Sequence, residues 1–198
     1  MSRFSADYDR GMIERLRRRD PAVVREIVDQ NARRLYRAAR GMGLAPPDAE
    51  DVSQDVFVTF LATLDRFEGR SQVSTWLIGI LHHKVQERRR SLAKDDMTDP
   101  IEEAFESRFD RNGKWLRPPI APDQHTTSVE IRAALERCLD GLPPIQREVF
   151  QLRQVEELSA QEVSNILGRT VTYIGVLFHR ARLRLQQCLD QKGWNPTS

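Results

Sequence analysis

Apolar side chains recur at three- and four-residue intervals along most of this 198-residue chain, which is the spacing of one face of an α-helix. Val52, Val56 and Phe60 are one example, since this repeat gives a single helix a continuous apolar stripe. No stretch combines sustained two-residue alternation with β-branched side chains, which is the pattern of a half-buried strand. The spacing therefore predicts an all-α fold.

The helical repeat is interrupted in the middle of the chain. Residues 91–127 hold 8 Asp+Glu against 5 Lys+Arg and contain helix-breaking pairs such as Asp99-Pro100. The pattern predicts two small helical domains, residues 1–91 and 128–198, joined by an acidic, proline-containing linker at residues 92–127. Three aromatic residues of the linker are expected to dock on another surface, since a purely solvated tether has little use for them: Phe105, Phe109 and Trp115.

Capping residues and prolines indicate where the helices of the first domain begin. Asp20-Pro21 supplies a cap and a proline at the first helical position, and Pro46-Pro47-Asp48 starts another helix with Asp48 as its cap. Four polar residues fall off the apolar stripe of that helix and are expected to face outward as one patch: Glu50, Asp51, Gln54 and Asp55. The four helices of this domain are predicted at residues 6–19, 21–41, 48–65 and 72–91.

The second domain carries the pattern of a helix-turn-helix. A capping box that begins at Thr127 opens its first helix, and a second box, Ser159-Ala-Gln-Glu162, starts a short helix that Gly168 ends. Thr170 or Thr172 can cap the basic helix that follows. Two helices joined by a glycine-containing turn are typical of a DNA-binding helix-turn-helix, although an ordinary helical hairpin has the same spacing.

One helix of the first domain changes character along its length. Residues 75–81 are apolar, whereas the second half ends in Arg88-Arg89-Arg90. Such a basic run also complements the helix dipole at a C-terminus, and a basic pair elsewhere can be a solvated face. The nearness of Trp76 and of two histidines favours contact with nucleic acid, in which Trp76 either stacks on bases or belongs to the core.

Other features exclude several classes of protein. The longest apolar run, residues 76–81, has six residues against the ~20 that span a bilayer, and the N-terminus lacks the apolar stretch of a signal peptide. We therefore expect a cytoplasmic protein without membrane insertion. In a reducing compartment, Cys138 and Cys188 are expected to be buried helix residues and not a disulfide. No phosphate-binding loop, nucleophile elbow or metal-ligand spacing occurs, so we expect no enzyme, no cofactor and no metal site.

Several segments resemble, in order and in separation, the extracytoplasmic-function (ECF) sigma factors, which are small bacterial transcription-initiation factors. Residues 48–57 are similar to the family's segment that binds the clamp helices of RNA polymerase, and residues 66–77 to the loop and helix start that read the melted −10 strand. The resemblance covers about residues 8–90 and 128–190. Three further segments resemble the domain that binds the −35 element as duplex: residues 142–153, 158–163 and 179–182.

The resemblance implies an alternative sigma factor that binds the clamp helices and flap of core RNA polymerase and directs it to promoter DNA, with an anti-sigma factor as a further partner. It implies polymerase contact by Glu50, Asp51, Gln54 and Asp55. Contact with the −10 element is implied for Arg66, Arg70, Ser71, Thr75, Trp76, His82, His83, Lys84, Arg88 and Arg89. Contact with the −35 element is implied for Arg153, Thr170, Thr172, Tyr173, His179, Arg180 and Arg182.

Some positions depart from the pattern of the family. The recognition helix begins Thr172-Tyr-Ile-Gly175-Val176, where relatives often have Gly-Thr-Val and then a polar or basic pair, so the bases that it reads stay open. Gly175 costs ~1 kcal/mol of helix propensity against alanine and marks a close approach of a backbone or a base. His83 and Glu87 stand where an Asn and an Asp are common, which predicts an unusual −10 preference.

Two other functions fit the same residues. A conventional helix-turn-helix regulator would bind operators alone, as a dimer, and a helical adaptor would bind acidic proteins through its basic faces. The net charge of +2 is small for strong autonomous DNA binding. We therefore expect sequence-specific affinity for DNA only when polymerase is present.

Overall fold

The fold is that of a computed structural model, which describes residues 10–67, 69, 71–92 and 128–192. Every regular element in these residues is a helix, so the all-α prediction is confirmed. The helices of the first domain are α1 (Arg10–Arg17), α2 (Pro21–Gly41), α3 (Pro46–Thr63), a 3₁₀ turn (Leu64–Arg66) and α4 (Val73–Leu92). Those of the second are α5 (Ser128–Asp140), α6 (Pro144–Phe150), a π-helical turn (Gln151–Val155), α7 (Ala160–Leu167) and α8 (Val171–Gln191).

The predicted cap of α2 is confirmed, whereas that of α3 is wrong. The Asp20 carboxylate accepts a hydrogen bond from the Ala22 amide at 3.0 Å. Helix α3 begins two residues earlier than expected, with Ala45 as its cap, because the fixed φ of Pro46 suits the first helical position. Asp48 therefore lies inside the first turn, where it accepts a hydrogen bond from Arg88 Nε at 2.8 Å.

The helix-turn-helix forms as the capping residues predict. Ser159 and Glu162 make the reciprocal hydrogen bonds of a capping box at the start of α7. Gly168 ends that helix in the left-handed conformation, at φ 62°, which glycine adopts without a steric penalty. Of the two threonines considered for the next cap, Thr170 takes the role, since its side chain accepts from the Tyr173 amide at 3.2 Å. Thr127, the expected cap of α5, lies outside the described residues.

The larger hydrophobic core spans both domains. Leu35 and Leu81 of the first domain belong to the same cluster as Val149, Val163 and Ile174 of the second. A smaller cluster lies between α5 and α8. The two helical domains are thus docked on each other through apolar side chains, an arrangement that periodicity within each domain does not predict.

The expectation that both cysteines are reduced is wrong, because the structure joins Cys138 to Cys188 in a disulfide. Helix α5 packs beside α8, so these residues come within 5.8 Å of each other, measured between their Cα atoms, despite a sequence separation of 50. Helical periodicity correctly predicts the buried side of each helix, but it does not reveal which residues of two helices meet. The bond lies in the smaller cluster, with Leu142, Ala181 and Leu185.

Part of the chain lies outside the described residues. The three aromatic residues with a predicted docking role are in this part: Phe105, Phe109 and Trp115. Among the helices that the structure does describe, none is both long and apolar enough to cross a membrane.

Candidate nucleic-acid interface

The polar patch of α3 faces outward, as the spacing of its residues predicts. Ala49, Val52 and Val56 turn the opposite side of this helix into the core. Consequently all four patch residues are exposed: Glu50, Asp51, Gln54 and Asp55. A surface groove separates the patch from α4, and the α4 side of this groove carries Lys84 and Arg88. The α3 wall of the groove therefore carries only acidic charges, whereas the α4 wall carries Glu87 beside its two basic side chains.

The first half of α4 packs its aromatic side chain into the edge of the core. The Trp76 ring stacks on Phe67 with 4.7 Å between ring centroids, and it meets Phe60 edge to face at 5.3 Å. Thr75, a candidate for −10 contact, is buried. The structure thus shows Trp76 as a half-buried residue at the rim of the core.

Other candidates for −10 contact are more accessible. Arg66 at the end of the 3₁₀ turn and Ser71 on the loop before α4 are exposed, as is His83 on the helix itself. Lys84 forms an ion pair with Glu87 at 3.2 Å, one turn along α4. Arg88 forms its ion pair with Asp48 at the start of α3. Arg70 lies outside the described residues.

Two candidates on α4 are turned toward the second domain and away from solvent. His82 and Arg89 both contact the carboxylate of Glu148, which is completely buried on α6. Gln86 donates to the same carboxylate at 2.8 Å. We call these four residues the Glu148 cluster. Sequence reasoning missed Gln86 and Glu148, since the contact joins residues 59–66 positions apart and no local pattern signals it.

Further polar contacts hold the domains together, among them a hydrogen bond from the Thr75 hydroxyl to the Glu162 carboxylate at 3.4 Å. Arg34 of α2 forms an ion pair with Glu156 at 2.6 Å, and both side chains are largely buried. Arg147 Nε donates to the Gly41 carbonyl at 2.7 Å. Gly41 is itself close to the second domain, because a Cβ atom there would lie 2.1 Å from the Gln151 side chain. The first domain thus presents a surface that fits the second without space for an added side chain at this position.

The candidates for −35 contact differ in exposure and in the contacts that they make. Thr172 and Tyr173 are exposed near the start of α8, where a recognition helix meets base edges. Arg153 and Arg182 both pack against the Phe178 ring, with guanidinium carbons 5.5 and 5.8 Å from its centroid. The remaining members differ in role or burial: Thr170 caps α8, and His179 and Arg180 are half-buried.

Burial has a chemical effect on His179. Desolvation lowers the pKa of the imidazole below its usual value near 6.5, and the positive charge of Arg182 lowers the pKa further. Both effects favour the neutral form of the ring. His179 therefore adds less positive charge to this helix than a fully exposed histidine would.

Comparison with known proteins agrees with this arrangement. The family model of Sigma-70 region 2 matches residues 27–94, and that of Sigma-70, region 4, matches residues 132–185. A probable RNA polymerase sigma factor of Haemophilus influenzae is 30% identical over 154 residues, which cover 73% of this chain and 78% of that protein. The ECF RNA polymerase sigma factor SigD of Mycobacterium tuberculosis is 30% identical over 165 residues, which cover 83% of this chain and 72% of that protein.

Solved structures show the same fold. The sigma factor RpoE of Bartonella quintana, in complex with the anti-sigma factor NepR, superposes with a TM-score of 0.62 at 23% identity, over 84% of this chain and 96% of that chain. Both helical domains are thus accounted for by family models, and the likeness extends along most of the sequence. The chain belongs to the ECF family of RNA polymerase sigma factors.

Proposed function

We propose that this alternative sigma factor binds core RNA polymerase through the acidic patch of α3 and directs it to promoters with both a −10 and a −35 element. The observation that supports this most is the presence in one chain of a basic helix beside an acidic patch and of a separate helix-turn-helix. Helix α4 is basic and adjoins the acidic patch, whereas α8 is the exposed second helix of a helix-turn-helix. Each helix reads a short element, so an enzyme that fixes their separation can select a promoter.

The polymerase contact is assigned to the four exposed patch residues, Glu50, Asp51, Gln54 and Asp55. Carboxylates and an amide on one exposed helix face suit a basic partner surface, where charge complementarity sets register and association rate. Contact with the flap of polymerase is assigned to the second domain. The domain division proposed for these roles is residues 1–91, 92–127 and 128–198.

The DNA contacts are assigned to side chains that are exposed or become exposed when the domains separate. For the −10 strand these are Arg66, Ser71, Thr75, His82, His83, Lys84, Arg88 and Arg89, with Trp76 at the rim as a stacking surface. Arg70, which lies outside the described residues, is included because it falls in the segment that resembles the −10 reading loop. For the −35 duplex they are Arg153, Thr170, Thr172, Tyr173, His179, Arg180 and Arg182.

The partners and location follow from this role. An anti-sigma factor is proposed as a regulator, in line with the solved sigma factor of the same fold that is bound to one. Since a bacterial chromosome and its polymerase share the cytoplasm, the protein is proposed to act there. It is proposed to perform no chemistry itself, because the polymerase forms every bond.

Transcription in vitro tests the proposal. Purified core polymerase is supplied with the chain and with fragmented genomic DNA, and the RNA 5′ ends are mapped. We expect starts that share sequence about 10 and 35 base pairs upstream, the defining spacing of such elements, and none with core alone. If core enzyme with this chain starts RNA at no fragment, the proposed function is wrong.

A further inference from the structure

The exposed face at the start of α8 is uncharged and largely apolar, with Thr172 as a polar member. Val171, Tyr173 and Val176 are among the large apolar side chains that the described part of the chain leaves exposed, and Val176 is 40% exposed. Between Arg169 and Arg180 the sequence has no charged residue. The face therefore lacks the Arg or Lys that reads guanine and the Asn or Gln that reads adenine.

Gly175 lies on this face without any internal reason to be glycine. A Cβ atom at this position would meet no heavy atom within 4 Å among the described residues. Gly41 differs, since a Cβ atom added there would lie 2.1 Å from the Gln151 side chain. In the second turn of the 21-residue helix α8, glycine is also a worse helix former than alanine. The space left open at Gly175 is therefore available to a partner outside the chain.

The geometry of the helix joins this space to an apolar side chain. Thr172, Gly175 and Val176 have the spacing i, i+3 and i+4, so they share one face one turn apart. In a helix-turn-helix the N-terminal part of the second helix enters the major groove. There the C5-methyl group of thymine is the apolar feature of a base pair, and small apolar side chains contact it.

We propose that Gly175 and Val176 form a thymine-reading site for the −35 element. The absent side chain at Gly175 lets the duplex approach the helix backbone, and the Val176 methyl groups pack on the C5-methyl of a thymine. The inference rests on the proposed function and deepens it, because it assigns specificity to methyl contact and not to charged readout.

Deoxyuridine templates test the methyl contact. On a promoter mapped as above, each thymine of the −35 element is replaced in turn by deoxyuridine, which removes only the methyl group. We expect initiation by the wild-type holoenzyme to fall roughly fourfold at one position, as the burial of one methyl group implies. Holoenzyme with Val176→Ala should not distinguish the two templates.

Gly175→Ala provides a second test, whose expected result differs from the result of misfolding. Alanine should raise the melting temperature, because it favours the helix, while initiation from the −35-dependent promoter falls several-fold. Gln187→Ala, at an exposed position later in α8, is the matched control and should leave initiation unchanged. An equal deoxyuridine effect in wild type and Val176→Ala, or full activity of Gly175→Ala, would overturn the inference while leaving the proposed function intact.

The Glu148 cluster carries a second inference independently. Its three donors, His82, Gln86 and Arg89, lie on one face of α4, and all of them contact one buried carboxylate. A phosphate group of single-stranded DNA is an anion that requires the same kinds of donor. We infer that Glu148 occupies the place of a DNA phosphate on α4, so that the second domain covers this part of the −10 surface until the domains separate.

The ion pair at Glu156 has the same polarity as the Glu148 cluster. Arg34 on the first domain is paired with Glu156 on the second. In both ion pairs, then, the first domain supplies the positive group and the second domain the carboxylate. Removing one partner of such a buried pair weakens the contact strongly, because the other charge stays buried and uncompensated.

Glu148→Gln tests the inference, since it keeps the shape of the side chain and removes its charge. We expect a larger radius of gyration in X-ray scattering and several-fold tighter binding of single-stranded oligothymidylate. Glu136→Gln, at an exposed position on α5, is the matched control and should change neither quantity. Arg34→Gln breaks the other ion pair from the opposite side and should also expand the chain.

The result that would overturn this inference is unchanged scattering together with unchanged oligonucleotide binding in both Glu148→Gln and Arg34→Gln. Circular dichroism shows whether each variant remains helical. Neither measurement uses polymerase, so the outcome is separate from the test of the proposed function.

Discussion

At the scale of single residues, His179 links stability to pH. Its pKa is lowered in the folded chain, whereas the unfolded chain has a value near 6.5. As pH falls through 6.5, the unfolded chain therefore takes up a proton more readily, and folding loses stability. Above that pH both states carry a neutral ring, and the effect vanishes.

We expect His179→Gln to lose less stability than wild type when the pH is lowered from 7.5 to 5.5. Denaturant unfolding at a series of pH values measures this difference. The comparison between the two proteins removes the contribution of all other titrating groups. Parallel stability curves for the two proteins would contradict the predicted effect.

Ser159 offers a test of a single cap. Its hydroxyl accepts from the Glu162 amide, and the Glu162 side chain bonds back to the Ser159 amide. Ser159→Ala should lower the free energy of unfolding by about 1 kcal/mol, whereas Ser159→Gly should cost only a few tenths. Equal losses in the two variants, measured by urea unfolding, would show that the hydroxyl is not what starts α7.

Residue-level signals predicted the helix starts well where the side chain itself makes the cap. Asp20 and Ser159 are such cases, since their oxygens bond to nearby amides whatever the rest of the fold does. Asp48 was assigned wrongly because a proline before it could start the helix as well. Its carboxylate instead bonds to a residue 40 positions away, which no local rule reports.

At the scale of helices, the disulfide is the feature with the largest expected effect on stability. It closes a loop between residues separated by 50 positions, which in the chain-entropy model contributes about 4 kcal/mol. Reductant should therefore lower the unfolding midpoint of the chain in guanidinium. The Cys138→Ser/Cys188→Ser double variant should unfold at a lower guanidinium midpoint than wild type. Addition of reductant should not change the midpoint of this variant. A wild-type midpoint that reductant does not move would argue against a contribution from this bond.

The patch on α3 makes a prediction about assembly. Asp51→Ala with Gln54→Ala should reduce recovery of the chain with core polymerase by several-fold, because charge complementarity at the patch is lost. The helical circular dichroism should stay unchanged, since both side chains are exposed. Glu26→Ala with Gln30→Ala removes an equally exposed acid and amide from α2 and serves as the control. Unaltered recovery of the α3 variant would count against the assignment.

The existence of most helices and the buried side of each were predictable from the sequence, because amphipathic spacing indicates which side of a helix is buried. The outward direction of the α3 patch follows directly from the inward direction of Val52 and Val56. Which helices meet was not predictable in this way. The pairing of α5 with α8, and with it the disulfide, depends on contacts that a single sequence does not display.

For the whole molecule, the sequence suggested two separate domains, and the structure shows a shared core between them. Each domain's apolar residues look sufficient for its own interior, so the pattern contains no sign that some of them serve a common interface. The same holds for the −10 candidates His82 and Arg89, whose partner is on the other domain. Basic residues near an aromatic were identifiable, but their burial was not.

The intact chain should bind duplex DNA poorly without polymerase. We expect dissociation constants in the nonspecific range, ~10⁻⁴–10⁻⁶ M at physiological salt, because the net charge is small and each recognition surface is short. Fluorescence anisotropy with a mapped promoter fragment measures this. Nanomolar, sequence-specific binding by the free chain, together with a dimer in solution, would favour an autonomous operator-binding regulator.

The disulfide also constrains how the molecule can rearrange. Both of its cysteines belong to the second domain, and the smaller cluster around them lies apart from the shared core. Separation of the domains therefore leaves this bond and the smaller cluster in place, whereas Val163 and Ile174 of the helix-turn-helix lose the neighbours that they have in the shared core. Helices α5 and α8 stay covalently joined through any such movement, so the covalent bond compensates for part of the packing that the second domain gives up.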